Sequence, residues 1–283
     1  MNNRIKIALQ YLAPQRALSW LSGVLCHCRW VWWKNWQINL LIRCFGADMS
    51  TAQCQQLNDY PDFNSFFTRR LNLKLRPIAE DKQTIVSPVD GAISQIGKIE
   101  NTLLFQAKGF YFNTIDLLGG SADRAKPFAS GYYATLYLAP KDYHRVHMPY
   151  AGTLREAIYI PGKLFSVNTL TTQHIPHLFS RNERLVCLFD TDQGPMAVIL
   201  VGAMLVSGIK TIWSDAIIAS AKIKDVTPTQ PISLEKGEEL GHFEMGSTVI
   251  VLFTANQMAW SRSALVDTDV KMGQALGSLH SQS

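Results

Sequence analysis

Gly246, Ser247 and Thr248 sit directly against an apolar run that ends at Phe253, and a serine that follows a glycine can turn on its own backbone. Attack of the Ser247 hydroxyl on the Gly246 carbonyl would convert the amide to an ester. Glycine puts no side chain in the path and tolerates backbone conformations that cost other residues about 1–3 kcal/mol. The alcohol is a weak nucleophile until a base takes its proton. Asp90, a histidine at 144 or 147 and Ser247 supply, in that order, the inventory of a catalytic triad. His144 stands in the same segment, between Pro140 and Pro149. Each residue also has an ordinary structural use: Asp90-Gly91 reads equally as a hairpin turn, and a histidine near prolines as loop packing.

Something rigid has to carry these groups. From about residue 60 the chain becomes a series of β-branched and aromatic runs, at 84–86, 92–99, 132–138, 157–160, 185–189, 197–206 and 249–253. Pro88, Gly91, Pro140, Pro149, Pro161, Gly162, Gly194 and Pro195 punctuate them. This pattern predicts a β-rich sandwich or barrel-like domain with one helix around 114–118. Residues 4–57 read as two or three helices separated near Pro14, Gly23 and Gly46, with Asp48 or Ser50 capping the last. The expectation is an α+β protein in two parts, a helical module over 1–58 and a β-rich catalytic domain over 59–283. At 283 residues and 47% hydrophobic content, the chain has enough apolar surface to fold around a full core, which excludes a disordered polypeptide.

Charge is concentrated at one end. Arg4, Lys6, Arg16, Arg29, Lys34 and Arg43 precede the first acidic residue, Asp48, while the whole chain carries a net charge of only +5. Trp20, Trp30, Trp32, Trp33 and Trp36 lie in the same stretch, among Leu12, Leu18, Leu21, Val24, Leu25, Leu40, Leu41 and Ile42. Indole rings among cations suit the headgroup region of an anionic membrane surface. A helical subdomain whose tryptophans pack on the protein is the plainer alternative. Nucleic acid is disfavoured as a partner, because so many tryptophans exceed what a few stacking platforms need. Arg16, Arg29, Lys34 and Arg43 interrupt every window of about 18 apolar residues that a membrane span would require. Gln10, Pro14, Gln15 and Arg16 break the apolar region that a secretory signal would need after Arg4 and Lys6. The expected location is therefore peripheral, on the cytoplasmic side of the cell membrane.

Cys26, Cys28, Cys44, Cys54 and Cys187 form no regular framework, which fits a reducing compartment. The one-residue spacing of Cys26-His27-Cys28 departs from metal-site spacing, so buried apolar thiols are the better reading and no metal is called for.

The words around the candidate residues resemble the phosphatidylserine decarboxylase family. They are 63–67 leading to Arg69 and Arg76-Pro77-Ile78; Pro88-Val89-Asp90-Gly91; Tyr143-His144-Arg145-Val146-His147-Met148-Pro149; Pro161-Gly162-Lys163-Leu164-Phe165-Ser166-Val167-Asn168; and Gly246-Ser247-Thr248. The resemblance spans residues 60–253. The family usually has leucine before the cleavage glycine where this chain has Met245, a swap that keeps volume and apolarity.

That resemblance implies a bacterial, membrane-associated, pyruvoyl-dependent carboxy-lyase. Asp90, His147 and Ser247 would be the self-cleavage triad, and a cut between Gly246 and Ser247 would give a large subunit, 1–246, and a small one, 247–283. Thr248 would supply a hydrogen bond beside the scissile link. Ser247 would become a covalent pyruvoyl group that forms a Schiff base with phosphatidylserine, releasing CO2 and phosphatidylethanolamine. His144 would serve as the acid/base of decarboxylation, and Phe165, Ser166 and Asn168 would line the substrate site. Assembly as a homodimer is compatible with the sequence. Two other classes stay open at this point: a Ser-His-Asp hydrolase acting on an external substrate, and a noncatalytic membrane-binding β-domain. The segment Met245-Gly246-Ser247-Thr248-Val249 lacks the Gly-x-Ser-x-Gly frame of many serine hydrolases.

Overall fold

The run after Gly246 is apolar on every residue because it is buried on both faces. In the computed structural model, which describes residues 2–206, 208–214, 220–255 and 258–279, Ser247–Phe253 is a strand buried along its whole length. Side chains alternate across a strand, so Val249 and Val251 enter one apolar cluster with Ile93, Leu136 and Phe189. Ile250 and Leu252 enter a second cluster with Phe112, Phe179 and Ile199 on the opposite face. Its antiparallel neighbours are Tyr132–Leu138 and Gly194–Val201, with Ser247 facing Leu138 and Thr248 facing both Tyr137 and Val201.

The sheet continues from Tyr132–Leu138 to Gly91–Lys98 and Asp269–Val270. On the other side it runs from Gly194–Val201 through Arg184–Thr191 and Gly152–Ile160 to Lys224–Asp225. Gly91 is required where the first of these strands begins, since a Cβ there would lie 2.3 Å from the Tyr137 carbonyl oxygen. A smaller antiparallel sheet places Glu239–Glu244 between Gly208–Thr211 and Arg145–His147. The chain thus passes from the small sheet to the centre of the large one across Met245 and Gly246 alone.

Helices α1 (Asn3–Leu12), α2 (Gln15–Cys26) and α3 (Val31–Leu40) precede this body. Gly23 does not separate helices as expected: it is buried within α2, where a small residue allows close packing, and the break falls at 27–30. Gly46 does end the third segment, in the left-handed conformation that glycine adopts without strain. No α-helix starts at Asp48 or Ser50; the Asp48 carboxylate instead accepts from the Ser50 backbone N–H and hydroxyl in a local turn. The next helix, α4 (Phe63–Phe67), is capped by Asp62, which accepts from Ser65 N at 2.8 Å. Its Phe63, Phe66 and Phe67 pack with Cys26, Ile38 and Met245, docking the N-terminal helices beside the Gly246 link. Lys34 is buried, with Nζ donating to the carbonyls of Leu57 and Tyr60 at 3.0 and 2.7 Å, so its charge faces the protein.

The single expected helix near 114–118 is present as Thr114–Leu117. The apolar run 197–206 ends as a strand at Val201, where Gly202 turns the chain by donating to the Glu183 carbonyl. Burial holds for Cys26 and Cys187, whereas Cys44 and Cys54 are exposed. The architecture is α+β, a β-rich body with short helices, and no helix among the described residues is long and apolar enough to cross a membrane.

Candidate active site

Ser247 opens the central strand, fully buried, and its Oγ has no hydrogen-bond partner. A buried hydroxyl normally finds a partner, so an unengaged one at a chain crossover is a nucleophile not committed elsewhere. The residue two positions earlier is strained. Met245 has φ +81°, a left-handed conformation costly for a residue with a side chain. Gly246 is outside that region, and a Cβ built on it would meet nothing within 4 Å. The strain expected at the glycine is therefore stored at its neighbour, while Gly246 leaves open space beside its own carbonyl. Thr248 does not supply the expected hydrogen bond there: alternation sends its side chain to the opposite face, and its Oγ1 is also unpartnered.

His144 lies at the same end of the small sheet. Its carbonyl accepts from Phe243 N at 3.1 Å, four residues before Ser247. Its Nδ1 lies 2.8 Å from the Asp142 carbonyl; a carbonyl only accepts, so Nδ1 carries the proton and Nε2 presents a lone pair. That Nε2 is buried and unpartnered. The ring lies against Phe67, centroid to centroid 4.0 Å. Burial lowers its pKa to about 3, the Asp142 carbonyl opposes the shift and the Arg69 guanidinium adds to it. His144 is therefore a neutral base at ordinary pH.

His147 sits at the other end, paired with Glu239, eight residues before Ser247. Its Nδ1–H donates to the Gly237 carbonyl at 2.8 Å, and its Nε2 accepts from the Tyr143 hydroxyl at 2.8 Å. Burial lowers its pKa, with the Gly237 carbonyl and Glu239 pulling it back up. Asp90 does not orient this ring through a hydrogen bond. Its Oδ2 accepts from Arg76 at 2.7 Å and its Oδ1 from Met272 N at 2.8 Å. Asp90 borders a cavity of about 100 Å³ and His147 one of about 630 Å³, with Tyr143 lining both. Asp90, His147 and Ser247 are thus not joined as a hydrogen-bonded triad in the uncleaved chain; Tyr143 stands between the first two.

The segment 165–168 is held by the N-terminal helices. Gln15 Oε1 accepts from Leu164 N at 2.7 Å, and Gln10 Oε1 accepts from Ser166 N at 2.9 Å. Phe165 is buried, Ser166 half-buried and Asn168 exposed. The Asn168 side chain accepts from Thr171 N as the cap of a short helix.

With this geometry in view, relatives are informative. The family model for phosphatidylserine decarboxylase matches residues 63–278, and a further one, PSD, matches residues 5–46. The chain is 50% identical to the phosphatidylserine decarboxylase proenzyme of Ectopseudomonas mendocina (strain ymp), over 98% of this chain and 99% of that one. It is 49% identical to the proenzymes of Stutzerimonas stutzeri (strain A1501) and Pseudomonas fluorescens (strain Pf0-1), over 98% of this chain and 95% and 98% of theirs. The chain belongs to the phosphatidylserine decarboxylase family.

Several groups of this site escape sequence reasoning. Tyr143 stood inside the histidine word with no role assigned to it. Gly237 contributes only a carbonyl, 90 residues from the ring it fixes, and a backbone acceptor leaves no sequence signal. Glu244 is a buried carboxylate beside the scissile link, 2.7 Å from Lys210 Nζ and 3.3 Å from Asn64 Nδ2. A glutamate two residues before Gly246 on an apolar strand was the available hint.

Proposed function

We propose that the chain is a proenzyme that cuts itself between Gly246 and Ser247 and then decarboxylates phosphatidylserine. The observation that carries this reading is the Ser247 hydroxyl, buried and unpartnered at the first position of the central strand. Attack of Oγ on the Gly246 carbonyl carbon breaks the amide, forms an ester and frees the Ser247 amine. Removal of the Ser247 Cα proton then expels the Gly246 carboxylate, and hydrolysis with loss of ammonia leaves a pyruvoyl group on residue 247. Pairing of 247–253 with strands on both sides would keep the fragments 1–246 and 247–283 together.

His147 with Asp90 is the base assigned to self-cleavage. This requires Nε2 to release the Tyr143 hydroxyl, and the Asp90 charge favours the imidazolium that forms, since it raises the His147 pKa. His144 is assigned the proton transfer of decarboxylation, because its Nε2 is open, its tautomer is fixed and burial keeps it neutral. The pyruvoyl group supplies a ketone that bonds the substrate amine and accepts the electron pair left by CO2. Phe165 and Ser166 are proposed to face the headgroup, whereas the Asn168 side chain is committed to its cap. No observation favours the hydrolase alternative.

Residues 1–58 are proposed to attach the catalytic domain, 59–283, to the cytoplasmic face of an anionic membrane. Support comes from exposed indoles: Trp20, Trp30, Trp32 and Trp36 are each more than half exposed, beside Leu9, Leu12 and Val31. Intact-mass measurement tests the reading. Active protein should consist of two fragments divided between Gly246 and Ser247, the smaller with a blocked N-terminus; active protein of a single full-length mass overturns it.

A further inference from the structure

A cavity of about 750 Å³ lies between the corner joining α1 to α2 and the loop 161–165, and neither Ser247 nor either site histidine lines it. Three cations from separate parts of the chain line it: Arg16, Lys163 and Arg181. The fold brings them together for identifiable reasons. Lys163 N donates to the Arg181 carbonyl at 2.9 Å, and the bond from Leu164 N to Gln15 places Arg16 next to Lys163. Tyr11 and Phe165 form an aromatic wall, with the Arg181 guanidinium 5.7 and 5.0 Å from their ring centroids. Among the described residues no carboxylate lines the cavity, and none forms an ion pair with any of the three cations. Glu183 is the acid that feels Arg16: burial raises its pKa, and the Tyr159 hydroxyl and Arg16 pull it down. Beside the cavity, Leu9 and Leu12 turn apolar side chains to solvent, Leu12 being 79% exposed.

Three unpaired cations over an aromatic wall, with an apolar rim, match a phosphodiester that carries acyl chains. The missing carboxylate discriminates further. A headgroup ammonium would find no carboxylate among the described lining residues and three cations against it, so the cavity favours an acidic phospholipid without an amine over phosphatidylethanolamine or phosphatidylserine. We propose that this cavity binds the headgroup of an amine-free acidic glycerophospholipid of the phosphatidylglycerol type, as a second lipid site that adjoins the substrate site at Phe165. The bound lipid would lie along Leu9 and Leu12 and fix α1 and α2 against the loop that carries Phe165 and Ser166. The inference rests on the membrane-surface reading of the N-terminal helices.

The test uses the full-length, self-processed protein and an Arg16→Gln/Lys163→Gln double variant. Both side chains are exposed, and normal processing into two fragments reports that the variant has folded. Calorimetric titration with monomeric dihexanoylphosphatidylglycerol should show binding that the double variant weakens by about tenfold or more, as expected for two lost charge-assisted contacts. Titration with dihexanoylphosphatidylethanolamine should give the same result for both proteins. Equal phosphatidylglycerol affinity in the two proteins overturns the proposal, as does inorganic phosphate binding as tightly as the lipid, which would make the cavity a free-anion site. Sedimentation with phosphatidylglycerol-containing vesicles separates the two readings. Failure of the wild type to sediment removes the membrane reading, while sedimentation without a variant-sensitive short-chain site removes only this one.

Discussion

Met245 offers a direct measurement of strain at the scissile link. Its φ of +81° is open to glycine at no cost and costs a residue with a Cβ roughly 1–2 kcal/mol. If that strain is relieved once the Gly246–Ser247 bond breaks, relieving it in advance should slow cleavage. Met245→Ala keeps the Cβ and removes only the packing of the half-buried side chain, so it is the reference; Met245→Gly then isolates the backbone. At about 1 kcal/mol of lost driving force, the glycine variant should process about fivefold more slowly than the alanine variant. The assay is the rate of appearance of the small fragment by mass spectrometry after synthesis in a cell-free system. Slower processing could also follow from a looser chain, so stability is measured in parallel in the uncleavable Ser247→Ala background. Glycine in an extended segment is ordinarily less stable than alanine by about 0.5–1 kcal/mol. At 245 the order should reverse. A glycine variant that cleaves as fast as the alanine variant, or that melts below it, refutes the stored-strain argument.

Other consequences can be checked together. Ser247→Ala should remain one chain of full mass and show no decarboxylase activity; any fragment starting at 247 counts against Ser247 as the nucleophile. His144→Ala should still be cut yet fail to release CO2, whereas His147→Ala should stay uncut; an uncut His144→Ala protein would transfer the self-cleavage base to His144, whose strand partner Phe243 lies four residues before Ser247. The pKa of His144 is lowered in the fold, to about 3, from an unfolded value near 6.5, so the unfolded state binds more protons between these values. Stability from this residue is complete above about pH 6.5 and is lost as pH falls toward 3, by at most about 2 kcal/mol at pH 5. In the Ser247→Ala background, His144→Asn should flatten that acid limb in denaturant melts, and an unchanged slope would count against a buried neutral imidazole. Lys34→Met should loosen α3, because the buried Tyr60 carbonyl loses its donor at about 1–3 kcal/mol and the part-buried Leu57 carbonyl loses one as well; limited proteolysis should then cut within 1–58 sooner, and an unaltered pattern would show that Lys34 does not hold the helices down.

Parts of this protein were legible in one dimension because their cause is local. The runs 84–86 and 132–138 became strands with those same bounds, since β-branched and aromatic residues between prolines and glycines leave little else to form. The left-handed end at Gly46 followed from glycine's lack of a Cβ. Gly23 misled for the reciprocal reason: a residue that often breaks helices is retained in α2 because tertiary packing against a neighbour outweighs its intrinsic cost of about 1 kcal/mol. The aromatic and basic N-terminal segment was visible as composition, but composition does not say which side chains turn inward. Lys34, counted among the cations that would meet a membrane, is instead engaged by the carbonyls of Leu57 and Tyr60.

The candidate site shows the same division more sharply. Residue types at Asp90, His144, His147 and Ser247 were readable, because chemistry restricts which side chains can supply a proton, accept one or attack a carbonyl. Their mutual arrangement depends on strand register, which a word of seven residues does not contain. Register puts His144 opposite Phe243 and His147 opposite Glu239, so two histidines three residues apart, about 10 Å along an extended strand, meet strand positions four and eight residues before Ser247. The partners that fix them are a hydroxyl inside the word and two carbonyls, at Asp142 and Gly237, and a carbonyl belongs to every residue alike. Nothing in the identity of Gly237 announces that it fixes the tautomer of His147. Self-cleavage adds one requirement that catalysis on an external substrate lacks: the reacting bond is part of the fold. The chain must therefore hold Met245 in a poor conformation and still close the strand after it. Under the proposed self-cleavage, the seven buried residues of 247–253, paired on both sides, would make that strain tolerable before the cut and keep the two pieces together after it.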